Sequence, residues 1–350
     1  MPTDVTMPPG RATRPTRPTR PTLDRRSLIV GLLILYLVWG STYLAIRVAV
    51  ETIPPFLMAG ARFLLAGGVL LAWTAARDRR GFTPPTRREW RDSAIVGGLL
   101  LGGGMGMVAF GEQTIPSGIT ALLIALLPVW IAIFGRILLG ERLPGIAVVG
   151  IVVGFIGVAI LIDPTSLGSE GALDPIGLGA IMLSPIAWSL GSLFASHRAT
   201  LPRQPLLATA AQMLAGGAIL IGMGAVTGEF GRLRPGDISG ESVVAFAYLA
   251  VVGSLLAFTV YGWMLRVAPL PLVATYAYIN PVVAVILGAI ILAEPIDART
   301  AIAGAVIVAA VALIVTTRSR MSAPRADGLN PRPGPSGRPA APAPSRSASD

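Results

Sequence analysis

Arg62 falls well inside a long apolar stretch, where a charged side chain is costly and ordinarily faces a cavity and a partner. Its guanidinium there either binds an anionic group such as a carboxylate, or bonds backbone carbonyls and locks two helices. Trp39 and Trp188 also lie near the middle of such stretches, away from the interfaces where tryptophan normally anchors. A buried indole offers a cavity stacking, cation–π attraction and one N–H donor; packing filler is the alternative. Ser41, Thr42 and Tyr43 add hydroxyls within about a turn of Trp39, although serine and threonine in membrane helices most often bond their own backbone. Further along, Thr275, Tyr276, Tyr278 and Asn280 set polar groups just ahead of Pro281, and Pro128 marks a matching kink. Proline removes a helix hydrogen bond and leaves a carbonyl free. The candidate cavity residues are therefore Trp39, Ser41, Thr42, Tyr43, Arg62, Trp188, Tyr276 and Asn280, with Pro128, Pro281 and Glu112 as candidate kink and gating positions. Glu112 is either a protonatable gate or a solvated carboxylate at a helix end.

Other residues read more simply. Arg47, near the end of its stretch, is expected to snorkel to headgroups. Glu141 and Glu294 are expected to cap or tether helix ends, and His197 to anchor at an edge. A membrane-embedded enzyme would need a nucleophile with a base, or a metal. With Cys 0 and His 1, and no pair of aspartates within an apolar stretch, those parts are missing, so no catalytic residue, metal or cofactor is expected. There is also no Gly-x-x-x-x-Gly-Lys-Ser/Thr loop, and all 28 basic residues are arginine.

The elements that must position these residues follow from composition. Hydrophobic residues make up 53% of the chain and charged residues 13%, against about 25% charged in a soluble domain. Too little polar surface remains to cover a globule in water, so lipid serves as part of the solvent. Crossing a hydrocarbon core takes ~20 apolar residues in a helix. Ten such runs are predicted: Ser27–Val48, Pro54–Ala76, Ser93–Gly111, Ile115–Gly135, Gly145–Ile162, Pro175–Ser196, Pro205–Thr227, Val243–Leu265, Pro271–Leu292 and Ala301–Thr317. They are too long for barrel strands, and unpaired backbone groups in lipid leave only helices. Abundant glycine (Gly 41), as in Gly150-x-x-x-Gly154, lets such helices approach closely. Residues 1–26, with a short Arg-Pro-Thr repeat, and residues 318–350, rich in Pro, Ala, Ser and Arg, are expected to be disordered cytoplasmic tails.

Arginine sets the orientation. It clusters at Arg25 and Arg26, at Arg77, Arg79, Arg80, Arg87, Arg88 and Arg91, then at Arg136 and Arg142, Arg198 and Arg203, Arg266, and Arg318 and Arg320. The alternate loops carry Glu51, Glu112, Asp163, Glu170 and Asp174 instead, with Arg232, Arg234 and Arg299 as exceptions. The bias puts both termini in the cytoplasm, which requires an even number of spans. The net charge of +10 is thus a matter of topology, and no nucleic-acid partner is expected.

The two halves repeat. Pro116, Ala121, Pro128-Val129, Gly135, Leu139 and Glu141 recur at one constant offset as Pro269, Ala274, Pro281-Val282, Gly288, Leu292 and Glu294. Each copy holds five spans, over residues 27–163 and 174–317. An odd number of spans makes the second copy enter from the opposite side. Such inverted repeats are a hallmark of secondary transporters, whose substrate sits near the midplane at the repeat interface; duplication for packing alone is the other reading.

Trp39-Gly40-Ser41-Thr42-Tyr43, Pro54-Pro55-Phe56-Leu57-Met58-Ala59-Gly60-Ala61-Arg62-Phe63, Pro116-Ser117-Gly118 and Gly140-Glu141-Arg142 resemble the EamA family of the drug/metabolite transporter superfamily. The resemblance covers Ser27 to about Thr317; Pro295 stands where the first copy has Arg142. It implies ten helices in two inverted five-helix repeats, a central cavity, and export of amino acids, metabolites or toxic compounds. The expected function is a secondary transporter, in the export direction, of small metabolites across a bacterial inner membrane by alternating access. A non-transporting receptor or assembly protein, or a membrane-embedded enzyme, are the alternatives. The expected partners are a small-molecule substrate and membrane lipid, with protons as a candidate co-substrate; substrate identity and oligomeric state are not encoded legibly.

Overall fold

The computed structural model describes residues 25–77, 81–141, 143–162, 173–268, 270–273 and 275–322. Its spanning elements are α1 (Arg25–Ala49), α2 (Pro55–Arg77), α3 (Arg87–Gly111), α4 (Ser117–Leu139), α5 (Gly145–Ile162), α6 (Pro175–His197), α7 (Pro205–Val226), α8, α9 (Tyr276–Ile291) and α10 (Ala298–Ser322). α8 runs unbroken through Gly240–Tyr248, Leu249–Leu256 and Ala257–Val267. Among the described residues nine helices are long and apolar enough to cross a membrane, and α9 is a shorter apolar one. The 16 residues of α9 span about 24 Å. A separate turn of helix, Leu270–Val273, precedes it and completes the tenth crossing. No described residue is in a strand.

Several boundaries differ from those predicted. α3 begins at Arg87, ahead of its apolar run, because Thr86 and Glu89 form a capping box: Glu89 N–H donates to Thr86 Oγ1 (3.3 Å) and Thr86 N–H to Glu89 Oε2 (2.7 Å). α1 takes in Arg25 and Arg26, and α10 continues to Ser322, so the expected tails are shorter than residues 1–26 and 318–350 at those edges. The rest of both tails, with Arg79, Arg80, Arg142, Asp163 and Glu170, lies outside the described residues.

α4 is interrupted at Ala125–Leu126, and Pro128 stands in the first turn of the part that resumes at Leu127. Pro281 lies inside α9, which starts at Tyr276 with Thr275 as its N-cap. α3 and α8 each change to a π-helix in mid-membrane, over Gly98–Gly106 and Leu249–Leu256. These widened turns occupy matching places in the two repeats. They leave backbone carbonyls without the usual helical partner and are frequent at functional sites.

Neighbour relations obey the repeat. α2 packs on α7 and α5 on α10, each helix against its own counterpart. Likewise α1 meets α9 as α6 meets α4, and α2 meets α8 as α7 meets α3. Glycines close the first of these contacts: a Cβ on Gly60 would stand 3.0 Å from Gly217 O, and one on Gly217 would stand 3.0 Å from Gly60 O. The copies are antiparallel, since α6 starts where α3 ends, with Thr114 Oγ1 donating to Asp174 Oδ2 (3.0 Å).

Two large apolar cores result, each drawing on both repeats, beside a small cluster of Leu35, Met264 and Val273. One joins α1, α2 and α3 to α7 and α8 through Phe63, Met58, Met213, Leu220 and Leu249. The other joins α4, α5 and α6 to α10 through Leu123, Leu126, Leu161, Ile181 and Ile307, with Tyr278 and Val285 of α9 against it. Meanwhile Leu33 and Leu37 of α1, and Leu65, Val69 and Trp73 of α2, point outward and exposed. So large an apolar exterior has lipid as its solvent. This is a multi-pass membrane protein.

Candidate functional site

The contact of α1 with α9, where the two cores meet, carries Trp39, Tyr276 and Asn280 of the predicted cavity residues. Trp39 of α1 meets three aromatic rings: Tyr276 of α9 at 4.8 Å, Tyr261 of α8 at 5.1 Å and Phe258 of α8 at 5.9 Å between centroids. Two of these contacts are edge-to-face, the geometry in which a ring's positive edge meets its neighbour's negative face. Tyr36 and Thr275 share a hydrogen bond across the same α1–α9 contact. Helix α1 comes this close through Gly40, where a Cβ would stand 2.7 Å from Val283 and 3.2 Å from Asn280 O.

The hydroxyls beside Trp39 divide by role. Ser41 Oγ donates to Val38 O (2.9 Å) and shares a bond with the Tyr248 hydroxyl of α8 (2.6 Å). Thr42 Oγ1 is spent on its own helix, donating to Trp39 O (2.6 Å). Tyr43 packs on the first core. Asn280 is 7% exposed, and its side-chain oxygen has no hydrogen-bond partner among the described residues.

Arg62 is 2% exposed, in the middle of α2. Its Nε donates to Ser254 Oγ (3.1 Å), and Ser254 in turn donates to Leu249 O (3.0 Å), five residues back along the α8 π-helix. The widened turn thus offers a hydroxyl acceptor to the arginine while that hydroxyl satisfies a displaced carbonyl. The guanidinium carbon lies 4.5 Å from the centroid of the adjacent Phe63 ring. Its two terminal nitrogens make no hydrogen bond among the described residues.

Trp188 stands apart from this group. It lies on α6 against the α3 π-helix, where a Cβ on Gly104 would come within 2.8 Å of its ring, and no described ring contact joins it to Trp39. Two shallow apolar hollows lie elsewhere, one lined by Leu71, Phe82 and Trp90 and the other by Leu138, Phe194 and His197; neither includes a predicted cavity residue.

At the end of the bundle opposite the termini the carboxylates and Arg47 take up specific bonds. Arg47 donates to the backbone carbonyls of Glu112 and of Gln113 (2.6 Å), satisfying the C-terminal end of α3. Glu294 accepts from Ser117 N–H (2.7 Å), Gly118 N–H (3.0 Å) and the Ser117 hydroxyl (3.1 Å), tethering the start of α4 to the end of α9. Glu229 does the same for α2, accepting from Phe56 N–H (3.2 Å) and Leu57 N–H (2.9 Å). Glu112 is not solvated but fully buried, at 0% exposure. His197 is exposed, with Nδ1 3.1 Å from Leu193 O.

Sequence reading missed Tyr248, Ser254, Phe258 and Glu229. Ser254 carried a signal, as a lone hydroxyl in an apolar run. Phe258 and Tyr261 are spaced to share a helix face. Glu229 gave none, because its targets are backbone groups distant in sequence.

Comparison with known proteins agrees with this architecture. The model of the EamA-like transporter family matches twice, over residues 26–163 and 175–316. The chain is 39% identical over 288 residues to the uncharacterized inner membrane transporter YedA of Escherichia coli (strain K12), covering 82% of this chain and 90% of that one. It is 23% identical over 306 residues to the uncharacterized transporter YvbV of Bacillus subtilis (strain 168), covering 87% and 96% respectively. A crystal structure with TM-score 0.57 and 23% identity covers 86% of this chain and 100% of its own, and shares the fold. Ten helices in two repeats, matched family segments over both, and a relative of this identity and coverage lead to one assignment: the chain belongs to the EamA-like transporter family.

Proposed function

We propose that this protein is a secondary transporter that exports small organic metabolites across a bacterial inner membrane by alternating access. Its substrate lies at the seam lined by Trp39, Ser41, Tyr43, Arg62, Tyr276 and Asn280. The observation that carries this reading is Arg62, buried at mid-membrane with only Nε engaged and its terminal nitrogens unbonded among the described residues. A buried guanidinium whose fork is left over suits a bidentate carboxylate. The rings of Trp39, Phe258, Tyr261 and Tyr276 add an apolar, polarisable wall. Amino acids and related carboxylates are the substrate class that uses both.

The two cores supply the moving parts. Each draws on both repeats, and one moves against the other about the seam. The arginine bias supports a cytoplasmic position for both termini, and the relation to an inner membrane transporter supports that membrane as the location.

Uptake of pooled, labelled amino acids and small organic acids into proteoliposomes tests the reading. Wild type accumulates label above protein-free vesicles, and Arg62→Ala and Trp39→Ala each lose it while keeping a monodisperse elution profile. Wild-type uptake unaffected by either substitution removes this seam as the substrate site. No uptake of any compound by folded wild type overturns the transporter reading for this substrate class.

A further inference from the structure

We propose that Glu112 is a proton-binding site at the seam between the two cores, which takes up a proton when that end of the bundle is closed and releases it when the end opens. The proposal rests on the transport reading above and makes the proton the co-substrate.

Glu112 follows the last residue of α3 and is fully buried. Neither carboxylate oxygen has a hydrogen-bond partner among the described residues. Arg47 gives it no hydrogen bond: its guanidinium donates to the backbone carbonyls of Glu112 and Gln113 instead. The position is also the C-terminal end of a helix, where the backbone dipole opposes negative charge. An ionised carboxylate buried without partners is far less favourable than the neutral acid group in the same place. The closed state therefore holds the acid form.

The groups around Glu112 come from both moving parts. From the first core, Arg47 of α1 and Arg62 of α2 favour a negative charge on it. From the other side, Glu294 opposes that charge. On α6, which packs on the end of α3 through Gly111 and Ile181, the acidic residue at this end is Asp174, turned to Thr114 and Gly177. When the cores part here, Glu112 gains water and loses Glu294, while Arg47 and Arg62 stay with it. Each change favours the carboxylate. One proton leaves a carboxylic acid, a carboxylate remains, and no other reactant is needed. Closure reverses the step, so proton movement and seam opening become one event.

Infrared difference spectroscopy of reconstituted protein at neutral pH reads the protonation without any substrate. Wild type is expected to show a carboxylic-acid carbonyl band that shifts in deuterated buffer and is missing from Glu112→Gln. A parallel assay compares labelled amino-acid uptake with and without an imposed pH gradient. The ratio of the two exceeds unity in wild type and in Glu112→Asp, which keeps an acid, and falls to unity in Glu112→Gln. A wild type without the acid band overturns the proposal whatever the transport result. A Glu112→Gln protein that still responds to the gradient overturns the coupling. A wild type that moves no label with or without the gradient counts against the transport reading and the coupling that depends on it, and the band still decides whether Glu112 holds a proton.

Discussion

Gly140 and Ala293 close α4 and α9 in the same left-handed backbone conformation, at φ 70° and 53°. They occupy corresponding positions of the two repeats. In each copy the following glutamate completes the closing turn, with Glu141 N–H donating to Gly135 O (3.2 Å) and Glu294 N–H to Gly288 O (3.1 Å). The first repeat has the residue suited to that conformation, and the second holds an alanine in it.

Left-handed backbone costs a residue with a Cβ about 1–2 kcal/mol, partly offset by the extra unfolded-state freedom of glycine. Ala293→Gly is therefore expected to stabilise the protein by about 0.5–1 kcal/mol. Gly140→Ala is expected to destabilise it by a similar amount. Thermal unfolding of both variants in the same detergent checks the pair, and shifts of equal sign would contradict the strain argument.

Close helix contact makes glycine positions unequal. A Cβ at Gly216 of α7 would stand 2.7 Å from Gly97 O of α3, whereas one at Gly68 meets nothing within 4 Å. Gly216→Ala should cost about 1–3 kcal/mol, as overpacking does. Gly68→Ala, on the outer face of α2, should stay within roughly 0.5 kcal/mol. Melting temperatures measured side by side would show the difference.

Ser254 fixes the direction of the Arg62 guanidinium through Nε. Ser254→Ala removes that bond and leaves the fork free to turn. Bonds to charged groups contribute about 1.5–3 kcal/mol, so the half-saturation concentration for labelled amino acids should rise on the order of tenfold or more. Ser254→Thr, which keeps the hydroxyl, should restore most of the loss. Unchanged half-saturation in Ser254→Ala would mean that Arg62 does not need this partner.

Asp297 caps α10, accepting from Thr300 N–H at 2.7 Å. Bonds from Thr300 hold its carboxyl below the usual aspartate range. A depressed folded-state value stabilises the protein above the unfolded-state value and is lost as pH falls through the folded one. The contribution should therefore be complete at neutral pH and fade below about pH 4. Asp297→Asn keeps an acceptor but has no charge to titrate, and its melting temperature should vary less than that of wild type over this acid range.

The ten helices were legible because hydropathy and arginine placement are properties of the chain itself, and the repeat showed in Pro128 with Pro281 and Glu141 with Glu294. The tether made by Glu294 was foreseen in kind, though its acceptance from Ser117 and Gly118 was not, since backbone donors leave no mark in sequence. The start of α3 was legible in Thr86 and Glu89, but arginines in its first turn masked it from hydropathy. The π-helices were not legible. Gly102-Gly103-Gly104 hints at the first, and nothing comparable marks Leu249–Leu256. Burial of Glu112 was equally hidden, because position at a helix end suggests water, and only the packing of α6 over that end removes it.

The pairing of α2 with α7 and of α5 with α10 has a mechanical consequence. If the inward-open and outward-open states are related by exchanging the roles of the two repeats, every other helix contact is traded for its counterpart. These two pairs are traded for themselves. They act as a fulcrum, and substitutions there, at Gly60 or Gly217, should change how easily the lever turns without favouring either side on which it comes to rest.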